Sequence, residues 1–244
     1  MESTRAADRL MPASCGGSGR PLRLIAHGMG NVFLGIAVGL LSYYGLTDLS
    51  ARWRQADLES EVASSAVLTS PAPDRLFDDG TVSLDWAGYE AEDVAYWESL
   101  EDGGVFGRLV IADMGLDALV VKGHSRENLK RGPAWVDYTD LPGPTGNSGI
   151  SGHRTTYGAP FRKLDALATG DTIYLYSPYR RYRYVVSGTF QVTPDRVEVL
   201  DTTDAPTLTL TACHPPYSAR YRLIVQSELV EVRKIETDTP AKQE

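Results

Sequence analysis

The sequence predicts a mainly β protein, a closed or nearly closed antiparallel barrel with short helical breaks behind a single N-terminal membrane helix. Three observations carry the prediction. Seven short strand-like runs follow Gly107 with turns packed closely between them, the pattern of a barrel rather than of alternating strand and helix units. Residues 24–46 form an uncharged apolar run of about 23 residues, enough to cross a hydrocarbon layer of roughly 30 Å. A chain of 244 residues with 42% hydrophobic content can hold one sizeable core and leave extra segments outside it.

Residues 1–23 read as a cytoplasmic tail, with Arg5, Arg9, Arg20 and Arg23 before the span; Arg52 and Arg54 after it are diluted by Asp48, Asp57, Glu59 and Glu61. The positive-inside rule then places the N-terminus in the cytoplasm and the rest outside. The span itself, LIAHGMGNVFLGIAVGLLSYYGL, carries only His27 and Asn31 as strongly polar groups and ends on Tyr43 and Tyr44, placed as interfacial aromatics. A signal peptide has a shorter apolar run ending in a small-residue cleavage site, and a core helix has a polar stripe; the segment reads as an uncleaved anchor in a lipid bilayer. The formal net charge of −8 argues against a nucleic-acid partner, which needs a basic stripe to neutralise phosphates.

Residues 47–104 read as an extracellular stalk, broken by SPAPD, FDDG and EDGG, with a short helix at AEDVAYWESL where Val94, Trp97 and Leu100 recur at spacings of three. The barrel follows over 105–232 as GRLVIADM, LDALVVKG, SGISGH, DTIYLYSP, RYRYVVSGTFQVTP, TLTLTAC and RYRLIVQSELV. Helical breaks fit SRENLKRG, capped by Ser125, and FRKLDALA, with a single turn at PDRVEVL. Residues 233–244 read as a disordered polar tail.

The stretch TLTLTACHPPYSARYRLIV decides where chemistry is sought. Leu208, Leu210 and Ala212 share one strand face; Thr207, Thr209, Thr211 and Cys213 share the other. Pro215 and Pro216 cannot continue a central ladder, so a hairpin with a long loop follows, and if its strands pair antiparallel, Cys213 and Arg222 flank the loop at its mouth. A fixed guanidinium beside a thiol favours thiolate and can hold a developing oxyanion, which suits an acyl-transfer nucleophile. The anchor puts Cys15 and Cys213 on opposite sides of the membrane, so they cannot pair, and Cys213 is either a buried bystander or a free thiol with a purpose. The proton carrier such a nucleophile needs is sought in GISGHRTTYG, where His153 ends a strand between glycines. Zinc wants three or four spaced ligands, and the exported part offers one cysteine with His124, His153 and His214, so no zinc site is expected; calcium through loop carboxylates stays open, although no dense Asp/Asn ligand loop appears, and no metal or other cofactor is assigned.

Four segments in order, GRLVIADMGLDALVV, ENLKRGPAWV, LPGPTGNSGISGHRTTYGAPFRKLDALATGDTIYLY and TLTLTACHPPYSARYRLIV, resemble the sortases, the cysteine transpeptidases of bacterial cell surfaces, over about half the chain. The resemblance implies an eight-stranded antiparallel or mixed barrel with Cys213 as nucleophile, His153 as general acid and base, and Arg222 as oxyanion or substrate clamp; Arg220, of the same strand parity, is the runner-up. It also implies that Thr211, Ala212, Tyr157, His214 and Arg220 surround the substrate. Cys-His-Pro and TTYGAPF are similar to classes E and D, and housekeeping attachment fits better than pilin polymerisation. The implied reaction cleaves an LPxTG- or LAxTG-like sorting signal between Thr and Gly and passes the protein to an amine of peptidoglycan or its precursor. Ala212 departs from the threonine many members carry there, so a catalytically weak barrel that binds peptide or acts as a scaffold is the alternative. L,D-transpeptidases lack a TACHPPY-like site, and papain-like NlpC/P60 hydrolases place cysteine before histidine, the reverse of the order here.

Overall fold

The computed structural model describes residues 19–63, 68 and 83–235, with side chains from residue 29 onward. The expectations for residues 1–18 and 236–244, for Cys15 and for the SPAPD and FDDG breakers lie outside these residues; of the expected tails, residues 19–23 are helical and residues 233–234 continue a strand. The described chain divides into two compact units, residues 1–43 and 44–244.

Helix α1 runs over Gly19–Glu61. Its earlier part is long and apolar enough to cross a membrane, and Val32, Phe33, Leu34, Ile36, Val38, Leu40 and Leu41 stand exposed. The helix does not stop at residue 46 but continues through charged sequence that reads as stalk. Ala51, Leu58 and Val62 explain why: at helical spacing they are buried, forming an apolar stripe on one side of the helix. Gln55, on the same stripe, accepts from the Leu119 amide at 2.9 Å and donates to the Leu119 and Arg131 carbonyls at 3.2 and 2.7 Å.

Eight strands close a barrel: β1 (Val105–Ile111), β2 (Leu116–Lys122), β3 (Ala134–Trp135), β4 (Asn147–Ser151), β5 (Thr172–Tyr176), β6 (Arg180–Val192), β7 (Thr207–His214) and β8 (Tyr221–Lys234). Their order around the barrel is β1-β2-β3-β4-β7-β8-β6-β5. The β2–β3 and β4–β7 pairs are parallel and the rest antiparallel, so the barrel is mixed. Closure leaves no open edge. Sequence alternation shows seven of these strands; β3 is two residues long, too short for a period of two to register.

A π-helical turn over Glu90–Val94 runs into helix α2 over Ala95–Ser99, and α3 covers Arg126–Leu129. Ser125 caps α3, its hydroxyl accepting from the Asn128 amide. The other two expected breaks are single 3-10 turns at Leu164–Ala166 and Val197–Leu200. Trp97 of α2 stacks on Phe106 at 5.1 Å, and Phe106 on Trp135 at 5.0 Å, so one aromatic column joins helix and barrel wall. The Trp97 indole donates to the Phe106 carbonyl at 2.8 Å, which satisfies the polar edge of a buried ring.

Candidate active site

Strand β7 is built by alternation. Leu208, Leu210 and Ala212 join the barrel core, and Pro215 and Pro216 end the ladder immediately after His214. β7 and β8 pair antiparallel with Cys213 opposite Arg222 and His214 opposite Tyr221. Arg222 Nη1 lies 3.5 Å from Cys213 Sγ. The same nitrogen faces the Ala219 and Tyr221 carbonyls, each at 3.4 Å. Cys213 is a free, half-buried thiol, open enough to meet a reaction partner.

The parallel β4–β7 pair brings in the histidine. Its register runs from Asn147 opposite Thr207 to Ser151 opposite Thr211, and the Gly152 amide donates to the Thr211 carbonyl at 3.1 Å. His153 and Cys213 are therefore the second residues past Ser151 and Thr211 on adjoining strands. Gly152 is required there: a Cβ would stand 2.7 Å from the Phe161 ring, which packs beneath the turn. The Phe161 amide donates to the His153 carbonyl at 3.0 Å and closes the loop. Gly152→Ala is expected to cost about 1 to 3 kcal/mol by overpacking, read as a lowered midpoint in urea.

Burial, and secondarily the Lys130 ammonium, lower the pKa of His153 below the ordinary imidazole value. The ring is therefore neutral at pH 7. Its Nε2 is buried without a hydrogen-bond partner among the described residues. Lys130→Met removes the nearby charge, so the His153 pKa should rise toward its ordinary value; a ring-proton NMR titration reads the shift, and a pKa unmoved or lowered would contradict the assignment.

The other residues singled out by the sequence separate. Tyr157 sits in the left-handed region at φ 53° with its ring 5.2 Å from His153 and 5.9 Å from Lys130 Nζ, so it walls the histidine. Thr211 is buried and its carbonyl is occupied by Gly152. Ala212 is 2% exposed among core side chains, so its side chain is part of the barrel interior and only its backbone is near the cleft. Arg220 lies before β8 begins, exposed, with its guanidinium 5.3 Å from the Tyr221 ring; the register gives the place facing Cys213 to Arg222. His214 is held by Arg154 rather than open to solvent on both nitrogens. His124 stands apart, with Nδ1 2.6 Å from Asp137 Oδ1. Among the described residues no group of three or more His, Cys, Asp or Glu could hold a metal ion.

The site has neighbours that sequence reasoning missed. The part of α1 after Tyr43 walls a cleft of about 460 Å³ together with the loop after His153; Tyr44, Asp48 and Arg52 face Thr156, Tyr157 and Arg162 across it. Tyr44 also meets Tyr217 of the β7–β8 loop edge-on at 6.0 Å. The signal was present in the spacing of Ala51, Gln55, Leu58 and Val62, four, three and four residues apart.

A closed mixed barrel with a cysteine facing an arginine across a hairpin mouth, and a histidine two residues past the end of the adjoining parallel strand, defines a narrow class of folds. The sortase domain model matches residues 109–230, half of the chain, and the chain belongs to the sortase family. It is 34% identical over 133 residues to sortase A of Bacillus anthracis, covering 54% of this chain and 63% of that protein. With sortase SrtE1 of Streptomyces coelicolor it shares 36% over 97 residues, covering 36% of this chain and 28% of that one. The chain thus spans less than two thirds of either relative. Among solved structures, sortase E of Streptomyces avermitilis matches with a TM-score of 0.51 at 31% identity, over 58% of this chain and 98% of the other. The crystal structure of sortase E1 from Streptomyces coelicolor with a tripeptide in its active site matches with a TM-score of 0.53 at 29% identity, over 57% and 96%.

Proposed function

We propose that the chain is a membrane-anchored cysteine transpeptidase that works through Cys213, His153 and Arg222. The observation that carries the reading is the thiol placed 3.5 Å from the Arg222 guanidinium, with an imidazole nitrogen that has no hydrogen-bond partner among the described residues just past the end of the strand paired beside it. A binding module has no need of all three.

Cys213 Sγ attacks the carbonyl carbon of the Thr-Gly bond in an LPxTG- or LAxTG-like signal, and the neutral His153 ring takes the thiol proton. The carbonyl oxygen becomes an oxyanion within reach of Arg222, whose charge is fixed and whose donors need no reorganisation. The C–N bond breaks as the His153 proton passes to the leaving glycine amine, leaving a thioester on Cys213. An amine of peptidoglycan or its precursor then attacks that thioester, the C–S bond breaks, and the amine proton passes through the neutral His153 ring to the departing Cys213 sulfur, regenerating thiol and imidazole. Two easier acyl transfers replace one difficult step.

The apolar part of α1 serves as the single anchor, with the N-terminus cytoplasmic and the barrel outside, on the charge asymmetry of Arg5, Arg9, Arg20 and Arg23. The likeness to proteins named sortase E supports a housekeeping attachment role for surface proteins carrying a C-terminal sorting signal.

The test uses the full chain in detergent micelles with LPxTG and LAxTG peptides and a glycine amine, followed by mass spectrometry. An acyl adduct on Cys213 and amine-dependent exchange, both absent in Cys213→Ala, are the expected result. Peptide binding without any adduct would support the peptide-binding alternative instead.

A further inference from the structure

We propose that Arg154 and His214 form a positioning pair that fixes the two reacting residues relative to each other, an inference that rests on the roles given above to Cys213 and His153. Arg154 follows His153 directly and His214 follows Cys213. Arg154 Nη1 lies 2.6 Å from His214 Nδ1. A guanidinium only donates, so Nδ1 accepts and the His214 proton sits on Nε2.

The other arm of the guanidinium is fixed as well, with Nη2 2.7 Å from Asp165 Oδ2 in the 3-10 turn Leu164–Ala166. The Arg154 side chain is 1% exposed, and its Nε has no hydrogen-bond partner among the described residues. A buried cation with so few acceptors has little freedom to move away from the two it has, because every alternative leaves more of its charge unpaired.

The placement gives this bond its purpose. The β4–β7 ladder ends where the Gly152 amide meets the Thr211 carbonyl. Beyond that bond the two segments are free to diverge, β7 staying with β8 and the chain after β4 turning into the His153 loop. The Arg154–His214 contact joins them again. Between the last ladder bond and this contact lie only His153 on one side and Ala212 and Cys213 on the other. The result is a small closed ring with both reacting residues in its circumference. Neither Arg154 nor His214 takes part in the chemistry; they set the spacing at which Sγ and the imidazole exchange a proton.

Steady-state kinetics of the full chain in micelles test the pair, alongside melting temperature and the peptide KM. His214→Ala should lower kcat by about 10- to 100-fold, the range expected of misplacement on the order of 1 Å, with the peptide KM within about twofold. His214→Asn places an amide oxygen near the position of Nδ1 and should restore kcat to within about threefold of the parent. His214→Gln carries the same amide one bond further out and should stay as impaired as His214→Ala. This contrast separates positioning from bulk stability, since both amides fill similar space. The proposal is overturned if His214→Ala keeps its kcat, if Asn and Gln behave alike, or if the loss appears only in the peptide KM, which would make His214 a substrate contact. Activity surviving in Cys213→Ala would instead overturn the underlying assignment of the nucleophile.

Discussion

Arg222→Ala is expected to lower acyl transfer by about 100- to 1000-fold, the loss typical of removing one oxyanion donor, while leaving the barrel folded. The residue stands half-buried at the hairpin mouth, so its removal opens no core cavity. Its Nη1 lies near Sγ and two loop carbonyls at long range, contacts too weak to hold β7 to β8; eight facing residue pairs do that. The loss should therefore fall in kcat, with an unchanged circular dichroism spectrum. Arg222→Lys should recover only part of it. An ammonium keeps the charge but loses the planar fork that can serve the sulfur and a developing oxygen together. Arg220→Ala provides the contrast, since that side chain lies over Tyr221 and should change the rate little. Equal losses from Arg220 and Arg222 would mean that the guanidinium supplies only a general positive field, and a full rate in Arg222→Ala would remove it from the mechanism.

The parts of the site that lie close in sequence were legible, and the parts joined by long-range pairing were not. Cys213 and Arg222 are nine positions apart in one hairpin, so alternation and two prolines were enough to put them at the mouth of one loop. The choice between Arg220 and Arg222 needed the register, because a two-residue slip keeps every side chain on its face. His153 lies sixty positions from Cys213, and only the parallel β4–β7 pairing makes them neighbours. Period and propensity carry no trace of a parallel partner. Arg154 was visible as the residue after His153, yet nothing local shows that its side chain turns inward to His214. The continuation of α1 to Glu61 was hidden for a different reason. Its charges suggested a solvated stalk, whereas a narrow stripe of Ala51, Gln55, Leu58 and Val62 is enough to bury one face.

Arg180→Ala is expected to cost about 3 to 5 kcal/mol, the usual penalty for removing one member of a buried ion pair. It should lower the melting midpoint by roughly 10 °C or more. Arg180 and Asp93 are both 0% exposed, at the other end of the β6–β8 ribbon from Arg222. The guanidinium donates to Asp93 and to the Asp85 and Ala87 carbonyls and pairs with Glu92 at 2.9 Å, while Ser177 also donates to Asp93. Without Arg180 the segment before α2 keeps its backbone bonds to Val232 but loses its side-chain fastening, and Asp93 is left as an unpaired buried acid. Burial already pushes the Asp93 pKa up, opposed by Ser177 and Arg180. Removing Arg180 strengthens that shift, and a folded-state pKa above the unfolded value contributes stability at low pH that is lost as pH rises. The deficit should accordingly be smaller below about pH 3.9, the ordinary carboxylate value, and grow toward neutrality. Replacing both partners, Arg180→Met with Asp93→Leu, should be more stable than Arg180→Met alone, because no buried charge is left unpaired. A double variant less stable than the single one would show that Asp93, through its bond from Ser177, contributes more without Arg180 than its unpaired burial costs.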